Sequence, residues 1–184
     1  MKSRATLLHL ALLLQMCNTA TTTATTTATI ENNVTFGTAG GSSAASKSNS
    51  VFTALSHGFR RIDTAMESQF WYNSTAVGEG LRRFCTSRKD DATLLRDCMD
   101  DIHVTTKLPP WELTANVSRV MEVVLKEKEE IFGANNTSSK LGAVLIHAPE
   151  CWKGWHPNCV GQEVDLFGAW RGLELGVAEG LIMR

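Results

Sequence analysis

The sequence predicts an α/β fold built on a parallel sheet. Short apolar runs alternate with stretches of helical periodicity in the order βαβαβαβα, and a further apolar run follows. Alternation of this kind means parallel strands joined by right-handed crossovers. Three of the runs also end in an ionisable residue: Arg61-Ile62-Asp63, Ile102 to Lys107, and Leu141 to His147. In a (β/α) barrel the strand C-termini open onto one face, where catalytic groups gather. An acid, a lysine and a histidine at three strand ends therefore point to an assembled active site.

Each element has a local reason. Val34-Thr35-Phe36 reads as a short strand entering the glycine-rich turn Gly37 to Gly41. Ser42 to Ser50 is small and polar, with Ser48 as the expected N-cap of a helix whose face is Val51, Phe52 and Leu55 and which Gly58 ends. Phe59 to Ala65 is the second strand. Ala76 to Thr86 is the second helix, with Val77, Leu81 and Phe84 at helical spacing. Ser87 to Asp101 is charged and reads as an irregular insertion. Ile102 to Leu108 is the third strand, and Pro109-Pro110 blocks helical continuation. Asn116 to Phe132 is the clearest helix. Its expected stripe is Val117, Val120, Met121, Val124 and Leu125, with charged residues from Lys126 to Glu130 near its end and Gly133 as its stop. Leu141 to His147 is nearly all apolar, as a strand buried on both faces should be. Val164 to Gly180 is the fourth helix, and Leu181-Ile182-Met183 opens a fifth strand. No G-x-G-x-x-G opens a helix after the first strand, which weakens a dinucleotide-binding open sheet. Pattern alone leaves barrel and open sheet both standing.

The chain has 184 residues and a formal net charge of −1. That length is short of the ~250 residues of a complete eight-fold barrel. The charge gives no reason to expect nucleic acid as a partner. Lys2 and Arg4, the apolar run Leu7 to Leu14 and the small residues around Cys17 to Ala20 have the layout of a secretory signal peptide over residues 1–20. The alternative is an apolar N-terminus of a cytoplasmic protein. Residues 21–32 are a Thr/Ala-rich linker, and 33–184 form the folded domain. No membrane span is expected in the mature chain. Without Cys17, four cysteines remain, an even number suited to an oxidising compartment. Cys151–Cys159 is the first expected bridge and Cys85–Cys98 the next, against four free thiols. Asn33, Asn73, Asn116, Asn135 and Asn136 open N-glycosylation tripeptides. Of these, Asn33, Asn116 and Asn135 are the expected sites.

From Gly58-Phe59-Arg60-Arg61-Ile62-Asp63-Thr64-Ala65 onward the sequence resembles the aldo/keto reductases. The resemblance continues through Tyr72-Asn73, Ala76 to Leu81, Thr105-Thr106-Lys107-Leu108, Leu145 to Pro149 and Ala169 to Glu174, and it takes in Phe36-Gly37-Thr38-Ala39. It implies the N-terminal half of a (β/α)8 barrel, with about four βα units and the start of a fifth strand. It implies an NADP(H)-dependent oxidoreductase that reduces an aldehyde or ketone to an alcohol, without metal. The catalytic residues carried over are Asp63, Tyr72, Lys107 and His147. Gly37, Thr38, Ala39 and Asp63 would bind NADPH or NADP+. Tyr72 departs from the usual spacing, since Ser68 occupies the position five residues after the aspartate, and the match is to a longer-loop variant. His156 with Cys151 and Cys159 lacks a zinc spacing and is expected to be solvated.

Hydride attack on a carbonyl carbon leaves negative charge on oxygen, which a nearby acid must neutralise. Tyrosine is a weak acid at neutral pH, with pKa ~10, and a neighbouring ammonium favours its phenolate. Lys107 would act in that way on Tyr72, held by Asp63, while His147 orients a small-molecule carbonyl substrate. The family's nicotinamide-holding Ser-Asn segment would follow the fifth strand. The alternative is a catalytically inactive truncated relic, or a binding scaffold without cofactor. A half barrel standing alone is expected to be unstable, aggregated or rescued by assembly with another chain.

Overall fold

The computed structural model describes residues 34–40, 43–66, 71–87, 92–159 and 163–183, with side chains described from residue 95 in the fourth segment. The expected leader, the Thr/Ala linker, Asn33 and Ser68 lie outside the described residues.

Four strands form one parallel sheet in the order β1 (Thr35–Gly37), β2 (Arg61–Asp63), β3 (His103–Leu108) and β4 (Ala143–Ile146). Each new strand joins on the same side as the last, so the sheet of the described residues has no switch point of the doubly wound kind. This is the arrangement of consecutive barrel strands. Leu141 also forms a parallel bridge to Ile182, so the fifth apolar run begins to extend the sheet.

Among the described residues five α-helices accompany the strands: α1 (Ala44–Ser56), α2 (Ser74–Thr86), α3 (Ala92–Asp100), α4 (Val117–Phe132) and α5 (Leu166–Ala178). α1 packs on α2, α2 on α4 and α4 on α5. The core lies between these helices and the sheet face bearing Ile62, Val104 and Leu108, which are fully buried. Alternation along β3 turns His103, Thr105 and Lys107 to the opposite face, which is only partly covered. Leu145, in register with Lys107, is 49 % exposed there.

Several local expectations need correction. α1 starts at Ala44 with Ser43 as N-cap, its side chain accepting from Ser46 N; Ser48 is a buried helix residue, not the cap. The expected insertion at 87–101 contains α3, because Leu95, Cys98 and Met99 recur at helical spacing and pack on the core. The stripe of α4 is rotated: Val120, Val124, Glu127, Lys128 and Ile131 are buried, whereas Leu125 is exposed. Pro109-Pro110 does end the strand without an α-helix, as expected, and Pro110 opens a single 3-10 turn, Pro110–Glu112.

Glycines set the closest helix approaches. A Cβ on Gly78 of α2 would stand 2.4 Å from the Ile131 carbonyl oxygen of α4, and one on Gly172 of α5 would meet the Val120 side chain at 2.6 Å. The Sγ atoms of Cys85 and Cys98 are bonded, joining α2 to α3, and those of Cys151 and Cys159 close the loop after β4.

Candidate active site

The strand ends deliver their side chains because main-chain bonding continues past each strand. Thr38 N donates to Asp63 O (2.9 Å), Thr64 N to Thr105 O (2.9 Å), Met66 N to Lys107 O (3.1 Å) and His147 N to Leu108 O (2.9 Å). These bonds hold Asp63, Lys107 and His147 on one rim. Lys107 Nζ donates to Asp63 Oδ1 at 2.5 Å and to the Thr64 carbonyl at 2.7 Å. The ion pair is partly buried, the lysine side chain being 15 % exposed and the aspartate 33 %. Both groups therefore stay within reach of a molecule on this face.

Tyr72 comes from the loop before α2 and completes the cluster. Lys107 Nζ lies 5.2 Å from the centroid of its ring, and the His147 ring meets it edge-on at 5.9 Å. A cation this close to an aromatic face is attracted to it. Asn73, beside Tyr72, caps α2 by accepting from Ala76 N at 2.8 Å, which anchors the loop. Asp63, Tyr72, Lys107 and His147 thus come together from positions up to 84 residues apart (147 − 63).

The expected cofactor segment sits beside this cluster. Thr38 is buried, and its hydroxyl donates to Asp63 O at 3.0 Å. Gly37 and Ala39 are exposed, and a Cβ on Gly37 would meet nothing within 4 Å. Among the described residues nothing crowds the Gly37 backbone at the end of β1. Among the described residues no group of three His, Cys, Asp or Glu side chains could hold a metal ion.

An aromatic wall adjoins His147. The Trp155 ring meets it edge-on at 5.6 Å and stacks on Trp152 at 4.9 Å, and Trp111 stacks on His156 at 4.1 Å. His156, expected to be solvated, is half-buried, with one face of its ring flat against the Trp111 indole. The Cys151–Cys159 bridge closes the loop that carries Trp152, Trp155 and His156.

Among the buried ionisable residues that the sequence did not single out are Glu127 and Lys47. Glu127 is buried in α4, where its Oε1 accepts from the Thr106 hydroxyl at 2.7 Å. Burial pushes its carboxyl up to about 7 from 4.5, against the stabilising hydrogen bond from Thr106. Lys47 is buried in α1, and burial lowers its pKa. Both had a legible signal. Lys47 falls in helical phase with Val51, Ala54 and Leu55, and Glu127 with Val120, Val124 and Ile131.

The fold can be compared with solved structures. The chain has an aldo-keto reductase-like fold. It is similar to the Bombyx mori aldo-keto reductase solved in complex with NADP, with a TM-score of 0.61 and 22 % identity over 82 % of this chain and 44 % of that one. It is also similar to the aldose reductase from Schistosoma japonicum, with a TM-score of 0.57 and 22 % identity over 81 % of this chain and 46 % of that one. The chain thus spans less than half the length of these reductases. No family model matches the sequence, and no curated protein matches it.

Proposed function

We propose that the chain carries the proton-donating half of an NADP(H)-dependent oxidoreductase of aldo-keto reductase type, acting on an aldehyde or ketone. The observation that carries this reading is the convergence of Asp63, Lys107, Tyr72 and His147 on one rim of a half barrel. When bound, the nicotinamide supplies the hydride, and the exposed Gly37 and Ala39 with Asp63 are the residues that would hold it. Tyr72 donates its phenolic proton to the carbonyl oxygen as negative charge develops there. Lys107 stabilises the phenolate that results, Asp63 keeps the ammonium in place, and His147 orients the carbonyl.

The test uses the intact 184-residue chain with NADPH and a simple aldehyde. Tyr72→Phe and Lys107→Met should each lower the reduction rate by about 10²-fold or more, because each removes part of the acid. Reduction that persists unchanged in Lys107→Met would refute the assignment. Absence of NADPH binding to the wild-type chain would instead favour a relic or scaffold.

We also propose maturation in the secretory pathway. The two disulfides support an oxidising compartment. Asn116 and Asn135 are exposed, whereas the Asn136 amide donates to Ser139 Oγ at 2.8 Å. No described helix is long and apolar enough to cross a membrane.

A further inference from the structure

Lys47 is ionisable, buried and absent from the chemistry just described, yet it touches the frame of the site. Its side chain leaves the buried face of α1 and is 6 % exposed. Its ammonium has three donors, and three main-chain carbonyls receive them: Thr38 O at 3.2 Å, Gly40 O at 2.5 Å and Trp71 O at 2.5 Å. The first two acceptors belong to the glycine-rich segment after β1. The third belongs to the residue immediately before Tyr72. Gly40 N donates to the same Trp71 carbonyl at 3.0 Å, so the two segments are bonded to each other as well as to the lysine. Thr38 in turn is bonded to Asp63 O through both its N–H and its hydroxyl.

A buried charge is costly unless it is well compensated. Among the described residues no carboxylate lies within ion-pair distance of Lys47, and the compensation is entirely by carbonyl dipoles. An apolar residue would continue the stripe of α1 without that cost. Core packing alone thus does not account for a lysine here, whereas tying two irregular segments together does, because its three donors reach main-chain carbonyls of both.

We propose that Lys47 is a positioning residue whose ammonium clamps the segment after β1 to the main chain before Tyr72, fixing the tyrosine relative to the proposed cofactor segment. This rests on the reductase reading for the roles of those two segments, but the clamp itself does not. The frame is closed, running from Asp63 to Thr38, Gly40, Trp71 and Tyr72, and back to Asp63 through Lys107. Lys47 sits at its centre and touches no reacting group.

Amide hydrogen exchange on the intact chain tests the clamp without turnover or cofactor. In Lys47→Met, peptides covering residues 38–40 and 71–77 should both exchange about tenfold faster, while the β3 peptide 103–108 keeps its protection. Lys47→Arg, which retains the donors, should restore much of it. Unchanged exchange in either segment, or loosening of one alone, would overturn the clamp. Should Lys47→Met strip protection from β3 as well, Lys47→Gln carries the same comparison. The second readout is absorbance titration of Tyr72, the single tyrosine in the chain. Lys47→Met should move that titration in the same direction as Lys107→Met, and Lys47→Arg should not. A shift in Lys107→Met with none in Lys47→Met would overturn the positioning role. No shift in Lys107→Met would count against the reductase reading instead, and the exchange data would still decide the clamp.

Discussion

Glu127 couples a single proton to the stability of the fold. Unfolded, its carboxyl titrates near 4.5; folded, near 7, because burial disfavours the anion. Below 4.5 both states hold the proton and the linkage costs nothing. Between 4.5 and 7 the unfolded state releases it while the folded state keeps it, so stability falls as pH rises and levels off above 7. The loss amounts to at most ~3 kcal/mol. Denaturant unfolding of Glu127→Gln should show a flatter pH profile and higher stability than wild type at pH 8; a profile like the wild type's would contradict the assignment. The same residue shows what was legible at this scale. Asp63, Lys107 and His147 could be read because each ends an apolar run and matches a motif. Glu127 and Lys47 sit at apolar-stripe positions where type and phase disagree. In Glu127 the charged cluster from Lys126 to Glu130 masked that conflict, and in Lys47 the small polar stretch around it did.

At the scale of elements, the helices are held by contacts that composition does not announce. Gly78 lets α2 lie against the α4 main chain, so Gly78→Ala should cost about 2 kcal/mol, read as a lowered midpoint in denaturant. Wild-type stability in that variant would mean that the helices approach less closely. The bridge between α2 and α3 closes a loop with a sequence separation of 13. Its loss in a Cys85→Ser, Cys98→Ser double variant should cost about 3 kcal/mol. Thermal unfolding measures this, and an unchanged transition would show the bridge to be dispensable. Most elements were legible from period and caps. α3 was not, because it is only nine residues long and lies in a charged stretch, which hid the helical spacing of Leu95, Cys98 and Met99. The rotation of the α4 stripe has a similar origin: Leu125 fits the helical period but points away from the sheet.

At the scale of the molecule, the sheet order separates barrel from open sheet, which the alternating pattern could not do. The sheet face bearing Lys107 is only partly covered, with Leu145 half exposed beside the ion pair. The 184-residue polypeptide studied by itself should therefore self-associate through this face, as an oligomer in sedimentation. A soluble monomer unfolding in one cooperative step would contradict that. The site is a property of the assembled sheet, since its four residues come from β2, β3, the segment after β4 and the loop before α2. Tyr72 is the only tyrosine in the chain, so the absorbance change on phenol ionisation reports this residue alone. Titrating the wild type against Lys107→Met tests the central claim most directly. If the Lys107 ammonium supports the Tyr72 phenolate, the tyrosine titrates at higher pH in the variant than in the wild type; identical titrations would mean that the two residues do not form the proposed proton-donating pair.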